Sequence, residues 1–228
     1  MPSLSSTLWS SVGKKVLMAF TGLFWALYLV EHLIGNLLLL NKDPGPYNSY
    51  AHFILSFGKL LWIAEAFLVI FILVHIVSGI SVWWSSRTAR PVKYAKTANA
   101  GGPSRKTLSS MTMIYTGALL LIFMVIHVNS FKYGPHYTIM VNGVEMLDLH
   151  RVVYEEFSKT GYMVFYVVIL VLLGYHLRHA FWSSFQSLGI NHPRYTPFIN
   201  GLGLTVALVL AIGFIVIPIM IYFTGGTQ

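Results

Sequence analysis

The run "VLMAFTGLFWALYLVEHLIGNLLLL" spans Val16 to Leu40 and carries one charged side chain, Glu31, beside one imidazole, His32. A helix that crosses hydrocarbon needs about 20 apolar residues in sequence, and this run exceeds that. It is therefore read as a membrane span holding an ionisable pair. The whole chain agrees. Of 228 residues, 56% are hydrophobic and 10% charged, against about 25% charged in soluble domains. Mean hydropathy is +0.68. Four further segments qualify, so the expected spans are roughly 16–40, 57–84, 109–131, 161–186 and 200–224. The fold class that follows is all-α, one bundle of five transmembrane helices over residues 1–228, with no separate soluble domain. The leading "MPSLSSTLWSSVGKK" has no pattern of a cleavable signal. In the loop after the third span, "EMLDLHRVVYEEFS" has helical apolar spacing and is expected to lie at the interface as a short amphipathic helix.

Cysteine is absent. That excludes disulfides, zinc–thiolate sites and protein-bound iron–sulfur clusters on this chain. The net charge is +8. In a membrane protein such a surplus points to anionic lipid or an acidic partner rather than to nucleic acid. Its distribution sets an orientation. Lys14, Lys15, Arg87, Arg90, Lys93, Lys96, Arg105, Lys106, Arg178 and Arg194 fall on one side. Lys42, Lys59, Lys132, Arg151 and Lys159 fall on the other. The first side is expected to be cytoplasmic, with the N-terminus inside and the C-terminus outside. All the acids (Glu31, Asp43, Glu65, Glu145, Asp148, Glu155, Glu156) lie on the outer side or in the outer half of a span. The inner face is then purely basic, suited to anionic lipid or to a docked soluble subunit.

Of nine histidines, His52, His136, His150 and His192 fall in loops or at interfaces and read as solvated polar residues. The other five are in spans: His32, His75, His127, His176 and His179. A histidine in hydrocarbon is costly without a partner and marks function by default. Depth follows from 1.5 Å per helical residue, counted from the cytoplasmic end of each span. His32 and His127 lie about 25 and 31 Å deep, His75 and His176 about 18 and 16 Å. The four sort into two levels, one pair at each. Two pairs of imidazoles from different helices are what two bis-histidine haems require, each ring binding iron through one nitrogen. Gly35, Ser78, Gly79, Gly117 and Gly174 offer room for a porphyrin, or serve ordinary close packing of helices. A four-histidine zinc site needs all ligands at one level. A haem-free proton transporter would use Glu31 and Glu65 together with the histidines.

At these histidines the chain resembles a known family. "EHLIGN", "VHIVSG", "IHVNSF" and "YHLRHAFWSSFQSLG" are similar to the haem-ligand segments of the di-haem cytochrome b membrane anchor of succinate:quinone oxidoreductases. The type is the single-chain, five-helix anchor of bacterial succinate dehydrogenases and fumarate reductases. The resemblance covers nearly the whole chain, and its last segment is the most specific. It implies two b haems, with His75 and His176 as ligands on the cytoplasmic side and His32 and His127 on the outer side. His179, one turn from His176, and Arg178 are then a ligand alternative or partners of a haem propionate.

The resemblance further implies a flavoprotein and an iron–sulfur subunit on the cytoplasmic face of a bacterial inner membrane. It also implies a quinone, menaquinone more often than ubiquinone in this type. The chain would be a subunit of the enzyme, with no succinate site and no catalytic residue of its own for that step. Quinone reduction takes up protons, which makes Glu65 and His52 the residues to consider there. Subunits of bc-type, hydrogenase-type and formate-dehydrogenase-type enzymes are other di-haem possibilities. The bc type places two histidines on each of two helices.

Overall fold

The structure is a computed structural model and describes residues 3–89 and 108–224. Arg90, Lys93, Lys96, Arg105 and Lys106, half of the basic set expected on the inner face, lie outside the described residues. Eight α-helices run in the order α1 (Leu4–Leu8), α2 (Ser11–Asn36), α3 (Pro44–Ser56), α4 (Lys59–Thr88), α5 (Leu108–Phe131), α6 (Leu149–Phe157), α7 (Thr160–Ser187) and α8 (Thr196–Thr224). Five of them, α2, α4, α5, α7 and α8, are long and apolar enough to cross a membrane. The chain is a multi-pass membrane protein of largely helical class. The spans begin and end within a few residues of the expected bounds. The largest difference is at α2, which starts at Ser11 because the Ser10 hydroxyl accepts from the Gly13 N–H and caps it there.

Around the bundle α4 packs on α2, α2 on α7, and α7 on α5, while α4 and α5 barely touch. The four helices therefore form a ring open along the α4/α5 seam. Helix α8 lies outside this ring against α7 and α2. Its Ala207, Leu210, Ile217 and Ile221 close a core with Leu33, Leu170 and Leu177. In contrast α4 shows most of its apolar side chains, Trp62, Ile63, Phe67, Ile70 and Leu73 among them, to the surroundings. Such a surface is stable in lipid, where association of helices rests on packing rather than on a gain from hiding apolar area.

One end of the bundle carries a cap that was not expected. The segment after α2, read as a loop, turns through a 3₁₀ piece (Leu37–Leu40) into α3, whose start is set by Asp43 accepting from Gly45 N–H with Pro44 in the first turn. An antiparallel hairpin, β1 (Thr138–Val141) with β2 (Val144–Leu147), pairs Val141 with Val144. Its two turn residues, Asn142 and Gly143, both have positive φ, 51° and 80°, as a two-residue hairpin turn requires. The helix expected over "EMLDLHRVVYEEFS" is corrected at its start. Its first residues belong to β2, because Asp148 caps the helix only from Leu149 onward. The remainder lays its apolar side on the bundle: Val152, Val153 and Phe157 are buried, and the last two join the bundle core.

A buried polar knot fixes the cap. Asn48 of α3 is fully buried. Its side-chain amide donates to Asp148 (2.8 Å), and its carbonyl accepts from the His150 backbone N–H (2.9 Å). His150 is itself buried, contrary to its reading as a solvated loop residue. Its Nε2 meets the Asn41 carbonyl at 3.2 Å, and its ring stacks on Tyr154, whose hydroxyl donates to the Leu39 carbonyl. Leaving a buried N–H unpaired costs about 1–3 kcal/mol. Asn48→Leu is thus expected to destabilise the cap by about 2 kcal/mol, seen as a lower thermal midpoint in detergent.

The same knot makes the cap sensitive to pH. Burial holds the His150 pKa below its ordinary 6.5, outweighing the Asn41 carbonyl and the Asp148 and Asp43 carboxylates that pull it up. The folded ring then binds protons less readily than the unfolded one. Its contribution is complete above about pH 6.5 and lost as pH falls through the depressed value. The protection of α6 amides, as exchange corrected for its intrinsic pH dependence, is expected to fall on acidification below that point, and His150→Gln to flatten the dependence.

Candidate functional site

The helix ends decide where the histidines sit. His32 of α2 and His127 of α5 each lie four residues before the last residue of their helices, at the capped end. His75 of α4 and His176 of α7 each lie sixteen residues beyond the first. At 1.5 Å per residue these are about 6 Å and about 24 Å from the capped end of each helix. The two levels read from sequence are present in the fold.

The rings pair within each level. His32 and His127 have centroids 5.8 Å apart, and His75 and His176 6.5 Å apart. Each pair bridges a diagonal of the four-helix ring, α2 to α5 and α4 to α7, rather than two neighbouring helices. Both pairs therefore meet near the bundle axis. It is the ring of His176, not of His179, that faces His75. His179 is half-buried on the same helix, and Arg178 is exposed.

Hydrogen bonds hold three of the rings by the same nitrogen. His75 Nδ1 lies 3.1 Å from the Met18 carbonyl and 3.4 Å from Thr21 Oγ1. His176 Nδ1 lies 3.1 Å from Thr116 Oγ1. His127 Nδ1 lies 3.1 Å from the Tyr166 hydroxyl. The direction is fixed at His75. The Met18 carbonyl can only accept, and Thr21 donates its own proton to the Leu17 carbonyl (2.7 Å). The proton of His75 is therefore on Nδ1, and Nε2 keeps its lone pair. Thr116 Oγ1 also meets the carbonyls of Met113 and Thr112, at 3.1 and 3.2 Å. His32 is held by rings instead, stacked on Tyr28 one turn earlier (5.5 Å) and against Phe214 of α8 (5.8 Å).

Space beside the rings comes from glycine. A methyl on Gly22 would stand 3.0 Å from Cε1 of His75, and one on Gly117 3.7 Å from Cε1 of His176. Gly117 was among the small residues picked from sequence; Gly22 was not. It lies on α2, far from His75 in sequence, and no local pattern connects the two. The other small residues serve differently. Gly35 receives the ring of Tyr50, Gly174 receives Ala211 of α8, and Gly79 faces the Met18 sulfur. Ser78 is fully buried, and among the described residues its hydroxyl has no partner; neither has the buried Trp25 indole N–H.

These features test the fit of a haem. A metal between two imidazoles, at the bond of about 2 Å known from zinc–histidine sites, puts ring centroids roughly 6 Å apart. Both pairs match that separation. Nδ1 anchors leave Nε2 for the iron, as a neutral ligand needs. The two orphaned polar groups suit a cofactor with polar edges. Among the described residues no three metal-ligating side chains come together, so a protein-only zinc site of the four histidines is not formed.

The carboxylates lie apart from the imidazoles. Glu31 accepts from the Tyr50 hydroxyl (2.5 Å), on a different face of α2 from His32. Glu65 of α4 pairs with Lys132, just past the end of α5, and so bridges the open seam. His52 is exposed on α3, and no hydrogen bond or ion pair joins it to Glu65 among the described residues. Comparison with models of known families, with curated proteins and with solved structures finds no match to this chain.

The seat of Tyr50 is tight, since any side chain at position 35 overlaps its ring. Gly35→Val is expected to cost about 1–3 kcal/mol by overpacking. Tyr50→Phe, which removes only the bond to the exposed Glu31, is expected to cost less. Thermal midpoints of the two variants in one detergent check the order.

Proposed function

We propose that this chain is the di-haem, quinone-reactive membrane anchor of a succinate:quinone oxidoreductase. One observation carries the reading: two opposed imidazole pairs on the two diagonals of a four-helix ring, at two levels. Three of those rings are anchored at Nδ1. His75 and His176 would hold one haem, and His32 and His127 the other. When bound, the haems would relay single electrons between a docked iron–sulfur subunit and a membrane quinone. Thr21, Thr116, Tyr166 and the Met18 carbonyl fix the ring orientations, while Gly22 and Gly117 keep the space beside the inner rings clear.

The basic side of the chain is read as cytoplasmic, with the N-terminus inside, the C-terminus outside and the cap on the outer face of a bacterial inner membrane. The flavoprotein and iron–sulfur subunits would dock on the basic face, and oxidation of succinate would occur there, not on this chain. Glu65 and His52, both toward the capped end, are the groups placed to exchange protons with a quinone, menaquinone for this type. The transporter reading draws less support. Glu31 and Glu65 are bound to Tyr50 and Lys132, and neither forms a hydrogen-bonded relay with a histidine. The bc-type reading needs two histidines of opposite levels on one helix; here each helix carries one level.

The test is a haem count on histidine variants. The wild-type chain is expected to bind two low-spin haems. His32→Ala and His127→Ala, singly or together, are expected to lose the same one. His75→Ala with His32→Ala is expected to lose both. A purified chain with no Soret band, or variants whose losses do not group as these two pairs, would overturn the proposal.

A further inference from the structure

The histidine pairs differ in what holds them. At the His75–His176 level the bonds at Nδ1 end locally, on the Met18 carbonyl and on threonines whose hydroxyls also bond carbonyls of their own helices. At the His32–His127 level the holder is a phenol that is not committed in this way. The Tyr166 hydroxyl lies 3.1 Å from His127 Nδ1 and also 3.1 Å from the Tyr162 hydroxyl, one helical turn nearer the cap. Tyr166 is only 4% exposed. Its ring is held edge-on by Phe123 and Phe157, both at 4.9 Å, and in a tilted contact by Tyr162 at 4.8 Å. The hydroxyl therefore has little freedom to turn away from His127. His32, opposite, takes no hydrogen bond at its ring among the described residues. Any control of this pair by hydrogen bonding thus passes through Tyr166.

We propose that Tyr166 is the positioning residue of the capped-end histidine pair. Through His127 Nδ1 it would hold an iron bound there toward its oxidised state, with Tyr162 as its support. The inference rests on the haem reading above. When Nε2 of a neutral imidazole is given to a metal, its proton stays on Nδ1. Tyr166 oxygen then accepts that proton's hydrogen bond and passes its own proton to Tyr162 oxygen. A chain of this kind polarises each member, so the imidazole gains electron density and donates it to the metal. Electron density from an axial ligand stabilises the oxidised iron and lowers its potential. The other pair ends on a carbonyl and two alcohols, so two irons bound at these pairs would be tuned by different groups.

The experiment is a redox titration of the purified full chain with its partner subunits. The two haem components are followed separately by their α bands and by low-spin electron paramagnetic resonance. Tyr166→Phe is expected to keep two bis-histidine haems per chain and to favour reduction of one component. At fixed ambient potential its reduced-to-oxidised ratio rises about fivefold, the size of one ordinary hydrogen bond. Tyr162→Phe is expected to move the same component in the same direction by less. Thr116→Val is expected to move only the other component. Two haems with both potentials unchanged in Tyr166→Phe would sink the inference and leave the haem reading intact. A wild-type chain without haem would sink both. Should Tyr166→Phe lose a haem, Tyr162→Phe decides: it does not touch His127, and an unmoved potential there counts against the relay.

Discussion

An imidazole in hydrocarbon has one N–H and one lone pair, and each needs somewhere to go. In this fold the protein answers Nδ1 of three of the four paired rings, His75, His127 and His176. His75 donates to the Met18 carbonyl and His176 is hydrogen-bonded to Thr116, each partner on a neighbouring helix. Each such bond ties two spans together, α2 to α4 and α5 to α7. The ties hold each ring toward the middle of the bundle rather than along its own helix. The open α4/α5 seam is compatible with this arrangement. Packing along the other three sides holds the four helices together and leaves the fourth side open.

The spans and the two histidine levels were legible because they are one-dimensional. Apolar length reports a crossing, and distance along a helix reports depth at 1.5 Å per residue. Pairing across the diagonals was partly legible, since two residues at one depth in a small bundle are close. What holds the rings was not. Thr21, Gly22 and Thr116 are unremarkable residues in apolar helices, and their roles come only from which helix stands opposite. Tyr166 is one of thirteen tyrosines, ten residues before His176 on the same helix and yet the partner of His127.

The cap was missed for a different reason. Its signals were present: Asp43 followed by Pro44, Asn142 followed by Gly143, and Asp148 ahead of an apolar stripe. A reading tuned to long apolar runs passes over short elements whose burial is only possible against a bundle already formed. The burial of Asn48 and His150 shows the dependence. Neither can be hidden without the other, because each satisfies groups that the other leaves open.

Glu31 and Glu65 can now be placed relative to the histidines. Each was an anomaly in a span, and each is answered by a group from a segment bordering the cap: Glu31 by Tyr50 of α3, Glu65 by Lys132 beyond α5. Both are straps between a span and the structure above it. The Glu65 pair is the one that crosses the seam where α4 and α5 otherwise stand apart. It is also partly exposed, so water can weaken it and it can open without leaving a buried charge. The seam is thus closed at its capped end by a tie that solvent reaches, while the bonds to the histidine rings lie inside the bundle.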